Sequence, residues 1–268
     1  MEGGPGATRF FQKGLKKAID EGEIELLFQP QVEVATGRIV GAEALARWRQ
    51  PGRAEIGAET LFEAAAQAEL SGELSGHVHG QAVAAAAHWP PALSHLQLSV
   101  NITAADTVSP AFAAGLLATL DETGLDPRRL TVEITETELI EHLDRAAATL
   151  AELRERGLRV ALDDFGTGYS SLLYLKKLPL DTLKIDRRLT EDIAGSERDR
   201  IVVRSVLAMA RALGLDVVAE GVESQEQLRL LREEGCDFYQ GFLCSPPVNS
   251  KELARLVEGG KCLGSAST

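Results

Sequence analysis

Two adjacent aspartates, Asp163 and Asp164, stand between an apolar run and a glycine-rich turn in the stretch LRVALDDFGTGYSS, residues 158–171. Carboxylates in contact repel each other and raise each other's pKa, so the pair has to be solvated, protonated or bound to a cation. The apolar run in front of the pair is typical of a buried strand that ends there. Which of the three states applies therefore depends on the other groups that the fold brings to that strand end.

Polar side chains also stand at the ends of the other predicted strands. The residues at these ends that are able to bind a metal or a phosphate are Glu43, Asn101, Glu133, Asp163, Asp164, Lys184, Glu220 and Gln240. A single polar residue at a strand end is ordinary, because strand ends are solvated. Five carboxylates converging on one rim are not, since they would repel each other strongly without a compensating cation.

The donor types in this set indicate which cation it would bind. Oxygen ligands without histidine or cysteine favour hard ions, Mg²⁺ or Mn²⁺, over zinc. The set holds more carboxylates than one octahedral ion can use, which indicates two ions bridged by a shared aspartate, with Asp163 as the bridge. Such a pair of ions suits in-line displacement at phosphorus.

The elements that carry these residues follow a regular order. Short apolar runs rich in strand-forming residues alternate with longer helical stretches, and the runs that follow helices are continuously apolar, as in a parallel sheet covered on both faces. This number of repeats predicts a (β/α)₈ TIM-like barrel, in which the working residues sit at the carboxyl ends of the strands. A tight turn at Thr36-Gly37 joins the opening strand pair, so we expect the first strand to run antiparallel.

Composition sets further bounds on the chain. A net charge of −12 over 268 residues argues against nucleic-acid polymers as partners, because they require a basic footprint. A small anionic ligand stays compatible with that charge if a metal or local cations receive it. No apolar run is long enough to span a membrane. The glycine-rich ends predict flexible segments at 1–14 and 259–268, on either side of one barrel at 15–258.

The cysteines and histidines carry no recognisable site. Three cysteines without a CxxC spacing predict neither a disulfide framework nor a zinc site, which favours a reducing cytoplasm as the location: Cys236, Cys244 and Cys262. Cys236 is expected in the core. The scattered histidines are expected at solvated surface or cap positions: His77, His79, His88, His95 and His142.

Eight short motifs, in order and register over residues 15–250, resemble the EAL domain, a bacterial family of phosphodiesterases acting on cyclic di-GMP. The motifs are FQPQ (28–31), EAL (43–45), VNI (100–102), EITE (133–136), DDFGTGYSS (163–171), LKID (183–186), AEGVE (219–223) and QGF (240–242). The nonapeptide in register with all the others makes the resemblance specific. It implies hydrolysis of cyclic di-GMP to the linear dinucleotide pGpG.

The resemblance also implies roles for single residues. Glu43, Asn101, Glu133 and Asp163 match the ligands of a first Mg²⁺ or Mn²⁺ ion, and Asp163 would bridge to a second ion held with Asp164 and Glu220. Two alternatives stay open for Glu220, metal ligand or general base. Lys184 would bond the attacking water or the scissile phosphate. Ca²⁺ is expected to inhibit, because it prefers longer bonds and more ligands.

Further positions match the family's substrate contacts and its mobile loop. Arg47 is similar to the phosphate-contacting arginine, and the other matching substrate positions are Gln29, Leu45 and Gln240. The loop at 164–172 would use Gly166 and Gly168 for its backbone conformation, with Glu136 and Glu223 as its anchors. The family further implies a homodimer, and sensor or GGDEF domains in a longer parent chain.

One segment departs from the family pattern. Where many members read FIPLAE, this chain reads LFEAAA at 61–66, with Glu63 for the proline and Ala66 for the final glutamate. The segment borders the nucleotide-binding face, so the departure bears on nucleotide affinity more than on the metal chemistry.

Two other functions are alternatives to phosphodiesterase activity. An EAL domain without catalysis acts as a cyclic di-GMP receptor or an interaction module, and such relatives usually lack one or more metal ligands, whereas every metal position is filled here. A different Mg²⁺-dependent barrel enzyme, of the enolase type, would need a base at a strand end and leaves DDFGTGYSS without a purpose.

Overall fold

The computed structural model describes residues 14–49, 55–136, 142–167, 172–260 and 262. Its strands close into one barrel in chain order. They are β1 (Ile24–Glu33), β2 (Ile39–Trp48), β3 (Gln97–Asn101), β4 (Leu130–Thr135), β5 (Arg159–Phe165), β6 (Thr182–Ile185), β7 (Asp216–Ala219) and β8 (Phe238–Gln240). The predicted (β/α)₈ barrel is therefore confirmed.

The first strand runs against the others, as the short turn after it predicts. β1 pairs antiparallel with both β2 and β8, whereas each later pair from β2 to β8 is parallel. The turn between β1 and β2 includes Gly37, whose φ of 72° lies in the left-handed region that glycine adopts without a steric penalty. A hairpin of this length can join only antiparallel strands, because a parallel connection requires a crossover.

Helices cover the outside of the barrel. They are α1 (14–21 within the described range), α2 (Ala58–Gln67), α3 (Ser71–Ala87), α4 (Ala104–Val108), α5 (Pro110–Thr123), α6 (Leu143–Glu155), α7 (Leu172–Lys177), α8 (Arg187–Thr190), α9 (Glu197–Ala212), α10 (Gln225–Glu234) and α11 (Ser250–Glu258). None of the described helices has both the length and the apolar character of a membrane-crossing segment.

Strand β4 explains how this barrel positions polar groups. Its alternate residues Leu130, Val132 and Ile134 point outward and are fully buried beneath the helices. Each such side chain stabilises the fold by about 1.5–3 kcal/mol. The residues between them point into the barrel and include Thr131 and Glu133, both buried. The apolar outer face therefore supplies the stability that lets the inner face carry polar chemistry.

The inside of the barrel is polar at its amino-terminal end as well. A cavity of about 70 Å³ lies there, lined among others by Ser99, Thr131 and Thr182, with Glu133 above them. Arg159 and Asp216 line the same cavity and form an ion pair, with 2.5 Å between guanidinium nitrogen and carboxylate oxygen. The charges of Arg159 and Asp216 thus balance each other.

The cysteine prediction was wrong in one respect. Cys244 and Cys262 form a disulfide across a Cα–Cα distance of 5.0 Å. Two backbone contacts hold Cys262 in place, because its N–H donates to the carbonyl oxygen of Gly37 and its own carbonyl accepts from the Tyr239 hydroxyl. Cys236 is a buried free thiol, as expected for a core residue, and burial raises its pKa to about 12.

Candidate metal centre

A single ammonium group lies at the centre of the candidate site. Lys184 is 1% exposed, and its Nζ contacts four carboxylates. The distances from Nζ are 2.5 Å to Glu133 Oε2, 2.9 Å to Asp163 Oδ2, 3.0 Å to Glu220 Oε1 and 3.4 Å to Glu43 Oε2. Among the described side chains of this cluster, four carboxyl groups therefore face one ammonium.

The strand register brings these side chains together. Glu43, Glu133 and Asp163 lie on the inner faces of β2, β4 and β5, and Lys184 reaches them from β6 across the barrel. Asn101 at the end of β3 pairs with Glu133 in the β3–β4 register. Parallel strands in a closed barrel end at one rim, so residues far apart in sequence meet there.

Amide side chains complete the surroundings of Glu43. Asn101 Nδ2 donates to Glu43 Oε1 at 2.6 Å, and Gln240 Nε2 donates to Glu43 Oε2 at 2.6 Å. Gln240 Nε2 also lies 3.1 Å from Gln29 Oε1. The other amide oxygen, Gln240 Oε1, is buried and has no hydrogen-bond partner among the described residues. An unpaired buried acceptor beside a carboxylate cluster is a position at which a cation or a donating ligand would be stabilised.

The pKa values reflect the imbalance between charge and burial. Burial acts to raise the pKa of Glu43, but Lys184 and the two amides outweigh it and lower that pKa. Burial raises the pKa of Glu133 to about 8 despite its contact with Lys184. For Lys184 itself burial acts to lower the pKa, and the carboxylates, Asp163 foremost, raise it well above its ordinary value. The ammonium is thus firmly charged.

The remaining carboxylates hold their protons more tightly than in water. Burial, followed by repulsion from Asp163, raises the pKa of Glu220 well above its ordinary value. Burial and then Asp163 raise the pKa of Asp164 to about 6. Burial is also the first cause of the raised pKa of Asp163. One ammonium is therefore not enough to keep the whole cluster ionised, and further positive charge would be stabilised here.

Two groups of carboxylates have the geometry of metal sites. Glu43, Glu133 and Asp163 form one group, and Asp163, Asp164 and Glu220 form the other. Within each group the candidate oxygens lie within 4.8 Å of one another, and Asp163 belongs to both. All these donors are carboxylate oxygens, which fit hard divalent ions such as Mg²⁺ and Mn²⁺.

The backbone at Asp164 departs from a regular strand. Its φ of 56° lies in the left-handed region, and its N–H donates to Asp163 Oδ1 at 2.8 Å. The β5–β6 register is irregular between Leu162 and Phe165. Neighbouring residues of a regular strand point to opposite faces, so this distortion is what lets both aspartates serve one site.

The substrate positions predicted on β2 lie beside the carboxylates. Leu45 and Arg47 follow Glu43 at alternate positions, so they extend the same face of the strand, and both are partly buried. The guanidinium of Arg47 lies 3.4 Å from Glu55 Oε1 and donates to the Ala46 carbonyl. Gln29 contacts Gln240, which in turn donates to Glu43, whereas Leu45 and Arg47 are connected to the cluster only by their place on the strand face of Glu43.

The predicted loop anchors differ in their surroundings. Glu136 is buried, and its backbone N–H donates to the carbonyl of Asp163 at 3.3 Å. Glu223 is exposed, and its backbone N–H donates to Gln227 on α10. Gly166 has a φ of 103°, and a Cβ there would lie 2.4 Å from Leu189 Cδ1, so glycine is required. Gly168 lies outside the described residues, and loop anchoring stays a prediction.

One histidine is not the surface residue that the sequence analysis expects. His79 is 4% exposed on α3, and its Nε2 lies 2.8 Å from the carbonyl oxygen of Asn101. The signal for its burial was available, because His79 falls on the same helical face as Ser75, Ala82 and Val83, which are buried too. The pattern of small and apolar residues on this face of α3 therefore indicates that His79 is buried.

Known proteins resemble this chain in sequence and in structure. The chain is 37% identical over 252 residues to the protein y4lL of Sinorhizobium fredii, covering 94% of this chain and 30% of that protein. It is 36% identical over 253 residues to the cyclic di-GMP phosphodiesterase NbdA of Pseudomonas aeruginosa, covering 92% and 31%. It superposes on the PaMucR phosphodiesterase in complex with c-di-GMP with a TM-score of 0.83 and 31% identity, covering 91% and 99%.

The extent of these matches decides what they establish. The chain spans about a third of the length of the curated relatives it matches, 30% and 31% for the two named above. The EAL domain model, by contrast, matches residues 12–247, nearly the whole chain. With that match and the closed barrel in agreement, the chain belongs to the EAL domain family.

Proposed function

We propose that this chain hydrolyses cyclic di-GMP to linear pGpG in a metal-dependent reaction. The observation that carries the proposal is the pair of carboxylate groups that share Asp163 around one buried ammonium. One relative in sequence and one in structure are named phosphodiesterases, and the second is a complex with c-di-GMP. A cytoplasmic location is also proposed, on the nature of the substrate alone, because the Cys244–Cys262 disulfide removes the argument from the cysteines.

The residues present fit two hard divalent ions. Glu43, Asn101, Glu133 and Asp163 would hold the first, and Asp163, Asp164 and Glu220 the second. When bound, Mg²⁺ or Mn²⁺ supplies Lewis-acid activation of water and neutralises negative charge on the phosphate. The raised pKa values of Glu133 and Glu220 agree with this, because Lys184 alone supplies too little positive charge for the cluster.

The chain's own residues would then position the reactants and move the proton. A water oxygen forms a new bond to phosphorus while the bond to the 3′ oxygen breaks, and the proton of the water finally resides on the 3′ hydroxyl. Lys184, held charged by its neighbours, would stabilise the charge that develops on the phosphate oxygens. Glu220 is the most exposed carboxylate touching Lys184, with its side chain 18% accessible, and is our candidate for the proton acceptor.

Binding of the nucleotide would use the partly buried side chains beside the cluster. Arg47 would exchange its ion pair with Glu55 for a phosphate, since a guanidinium binds phosphate oxygens in a bidentate manner. Gln29, Leu45 and Gln240 would form the remaining contacts. Glu63 and Ala66, the two departures from the family pattern, are exposed on α2, where they would alter nucleotide affinity.

We also propose that the chain forms a homodimer. α9 leaves the apolar residues Ile201 and Val202 at 51% and 38% exposure, and Leu213 just after it at 50%. A second copy that covers this face would bury them. Light scattering at tens of micromolar concentration tests this, and a monomer with full activity would exclude a dimer required for catalysis.

The decisive experiment is incubation of the purified chain with cyclic di-GMP and Mg²⁺ or Mn²⁺, followed by chromatography of the nucleotides. We expect pGpG as the product, and none from Asp163→Asn, which keeps the size of the side chain but removes the shared carboxylate. Binding of cyclic di-GMP without turnover, at saturating metal, would instead identify the chain as a receptor. Neither binding nor turnover would reject both functions.

A further inference from the structure

A small buried polar network lies behind the metal centre, between α3 and the end of β3. It has two parts: His79 bonds the main chain of Asn101, and beside it Asp106 bonds Ser75 and Thr103. We infer that His79 is a positioning residue, which fixes the main chain of Asn101 and thereby sets the affinity of the first metal site. The inference rests on the proposed metal-dependent function.

The contact between His79 and Asn101 has a defined direction. The carbonyl oxygen of Asn101 can only accept, so His79 Nε2 carries the hydrogen and donates it across 2.8 Å. The ring is held from its other side by an edge-to-face contact with Phe112 at 5.7 Å between centroids. His79 is 4% exposed, so the bond is shielded from competing water.

Asn101 is the residue of β3 that most needs such a contact. The β2–β3 pairing ends at Val100, one residue before Asn101. On the other side, the following residue, Ile102, donates to the carbonyl of Glu133 on β4. A strand end held by only one neighbouring strand has more rotational freedom, and the bond from His79 removes that freedom on the α3 side.

The side chain of Asn101 transmits this restraint to the carboxylates. Its Nδ2 donates to Glu43 Oε1 at 2.6 Å, so a rotation of the Asn101 main chain would displace both candidate ligands. Outer contacts of this kind orient metal ligands, and their loss typically weakens metal affinity by about 10- to 100-fold. Since the contact is made through the main chain, we expect the lower end of that range.

The helix that carries His79 is itself held to the β3–α4 connection. Asp106 Oδ2 accepts from Ser75 Oγ at 2.9 Å and from the backbone N–H and the hydroxyl of Thr103, each at 2.8 Å. Asp106 is 4% exposed and starts α4 in a capping box with Thr103. The network therefore fixes the distance between α3 and the strand end, which is what a positioning contact requires.

The test measures metal affinity without substrate. Mg²⁺ titrated into the full chain by calorimetry should give a dissociation constant about 10-fold higher at one site in His79→Leu than in wild type. His79→Gln places an N–H donor at nearly the same distance from the backbone, so it should restore most of the affinity. The second site should keep its affinity in both variants.

A matched control is available two residues earlier on the same helix. His77 is half-buried and bonds Gln81, and we place it outside the site. His77→Leu should leave both Mg²⁺ affinities unchanged. If His79→Leu does not fold, His79→Met takes its place, because methionine also lacks a donor and adapts its shape to the space.

Two results would contradict the inference. Unchanged Mg²⁺ affinity in a folded His79→Leu or His79→Met variant, even with a lower Tm, would reduce His79 to a packing residue. Equal loss of affinity in His79→Leu and His79→Gln would show that the hydrogen bond is not the cause. Absence of Mg²⁺ and Mn²⁺ binding in the wild type would instead contradict the proposed metal-dependent function itself.

Discussion

The two ends of the barrel are built on the same strands but treat charge in opposite ways. At the amino-terminal end Arg159 on β5 pairs with Asp216 on β7, and neither is deeply buried, with side chains 39% and 44% exposed. At the carboxyl end one ammonium, Lys184 on β6, faces four carboxylates, and it is 1% exposed. One end carries a half-exposed ion pair, and the other carries buried carboxyl groups in excess over their cation.

The difference separates stability from function. A half-exposed ion pair contributes about 0–1 kcal/mol and is easily replaced. A buried cluster with excess negative charge raises its own pKa values and opposes folding, unless a cation is bound. Stability alone gives no reason for such a cluster, which is why the proposed function places the reaction at the carboxyl end.

Removal of metal should produce the largest effect. Excess EDTA should abolish turnover of cyclic di-GMP, because Lys184 alone does not neutralise the cluster, and Mg²⁺ or Mn²⁺ should restore it. Ca²⁺ should fail to restore it and should inhibit, since it prefers longer bonds and higher coordination numbers. Initial rates of pGpG formation, measured by chromatography, test these effects. Full activity in excess EDTA would contradict the metal-dependent mechanism.

Loss of one candidate ligand comes next. Glu43→Gln keeps the shape of the side chain but removes a charge that two amides and Lys184 contact. We expect kcat to fall at least about 100-fold, because several kcal/mol of charge stabilisation is lost at about 1.4 kcal/mol per tenfold. The fold should stay intact by circular dichroism, and a variant that keeps more than about a tenth of the wild-type kcat would contradict the ligand assignment.

Replacing the cationic side chain at each end of the barrel compares the two ends directly. In metal-free protein Lys184→Met removes the cation that the buried carboxylates share, so the free energy of unfolding should fall by about 3–5 kcal/mol. Arg159→Met at the other end should cost no more than about 1 kcal/mol. Urea denaturation of both variants measures the contrast, and equal losses would mean that the ends do not differ as described.

The pH dependence of the metal-free protein should be a smaller effect. Glu133 has a pKa of about 8 in the fold against an ordinary value of 4.5, so the folded state binds more protons than the unfolded chain between these values. The free energy of unfolding should therefore fall as pH rises from about 4.5 to about 8. Mg²⁺ needs ionised carboxylates, so its affinity should rise over the same range.

Thermal unfolding with and without Mg²⁺ tests both trends. The Tm of metal-free protein should decrease toward pH 8, and the gain in Tm on adding Mg²⁺ should increase. Glu133→Gln serves as the control, because it cannot titrate and should make the metal-free curve less steep, while Asp163, Asp164 and Glu220 still contribute to it. A metal-free Tm that rises across this range would show that other groups dominate.

The sequence predicted the parts of the site that depend on period and topology. Glu133 and Asp163 were found because strand ends in a parallel barrel meet at one rim, whatever the side chains are. The antiparallel first strand followed from the short turn at Thr36-Gly37. These inferences need only the order of the elements, which local patterns determine well.

The parts that failed depend on where single side chains reach. Lys184 contacts four carboxylates because its long side chain crosses the barrel. The spacing of residues along the sequence does not indicate that reach. Cys262 meets Cys244 because the chain returns to the β1–β2 turn after α11. The prediction for His79 did not use its helical face, whose other residues are small or apolar and are buried.

The left-handed backbone at Asp164 has a consequence for how this site can be lost. An L-residue in that conformation costs about 1–2 kcal/mol, whereas glycine adopts it without penalty. Asp164→Gly would therefore relieve this backbone cost while it deletes a carboxylate. Under the proposed function, the second metal ion that this carboxylate would help to hold is what offsets the cost of its backbone conformation.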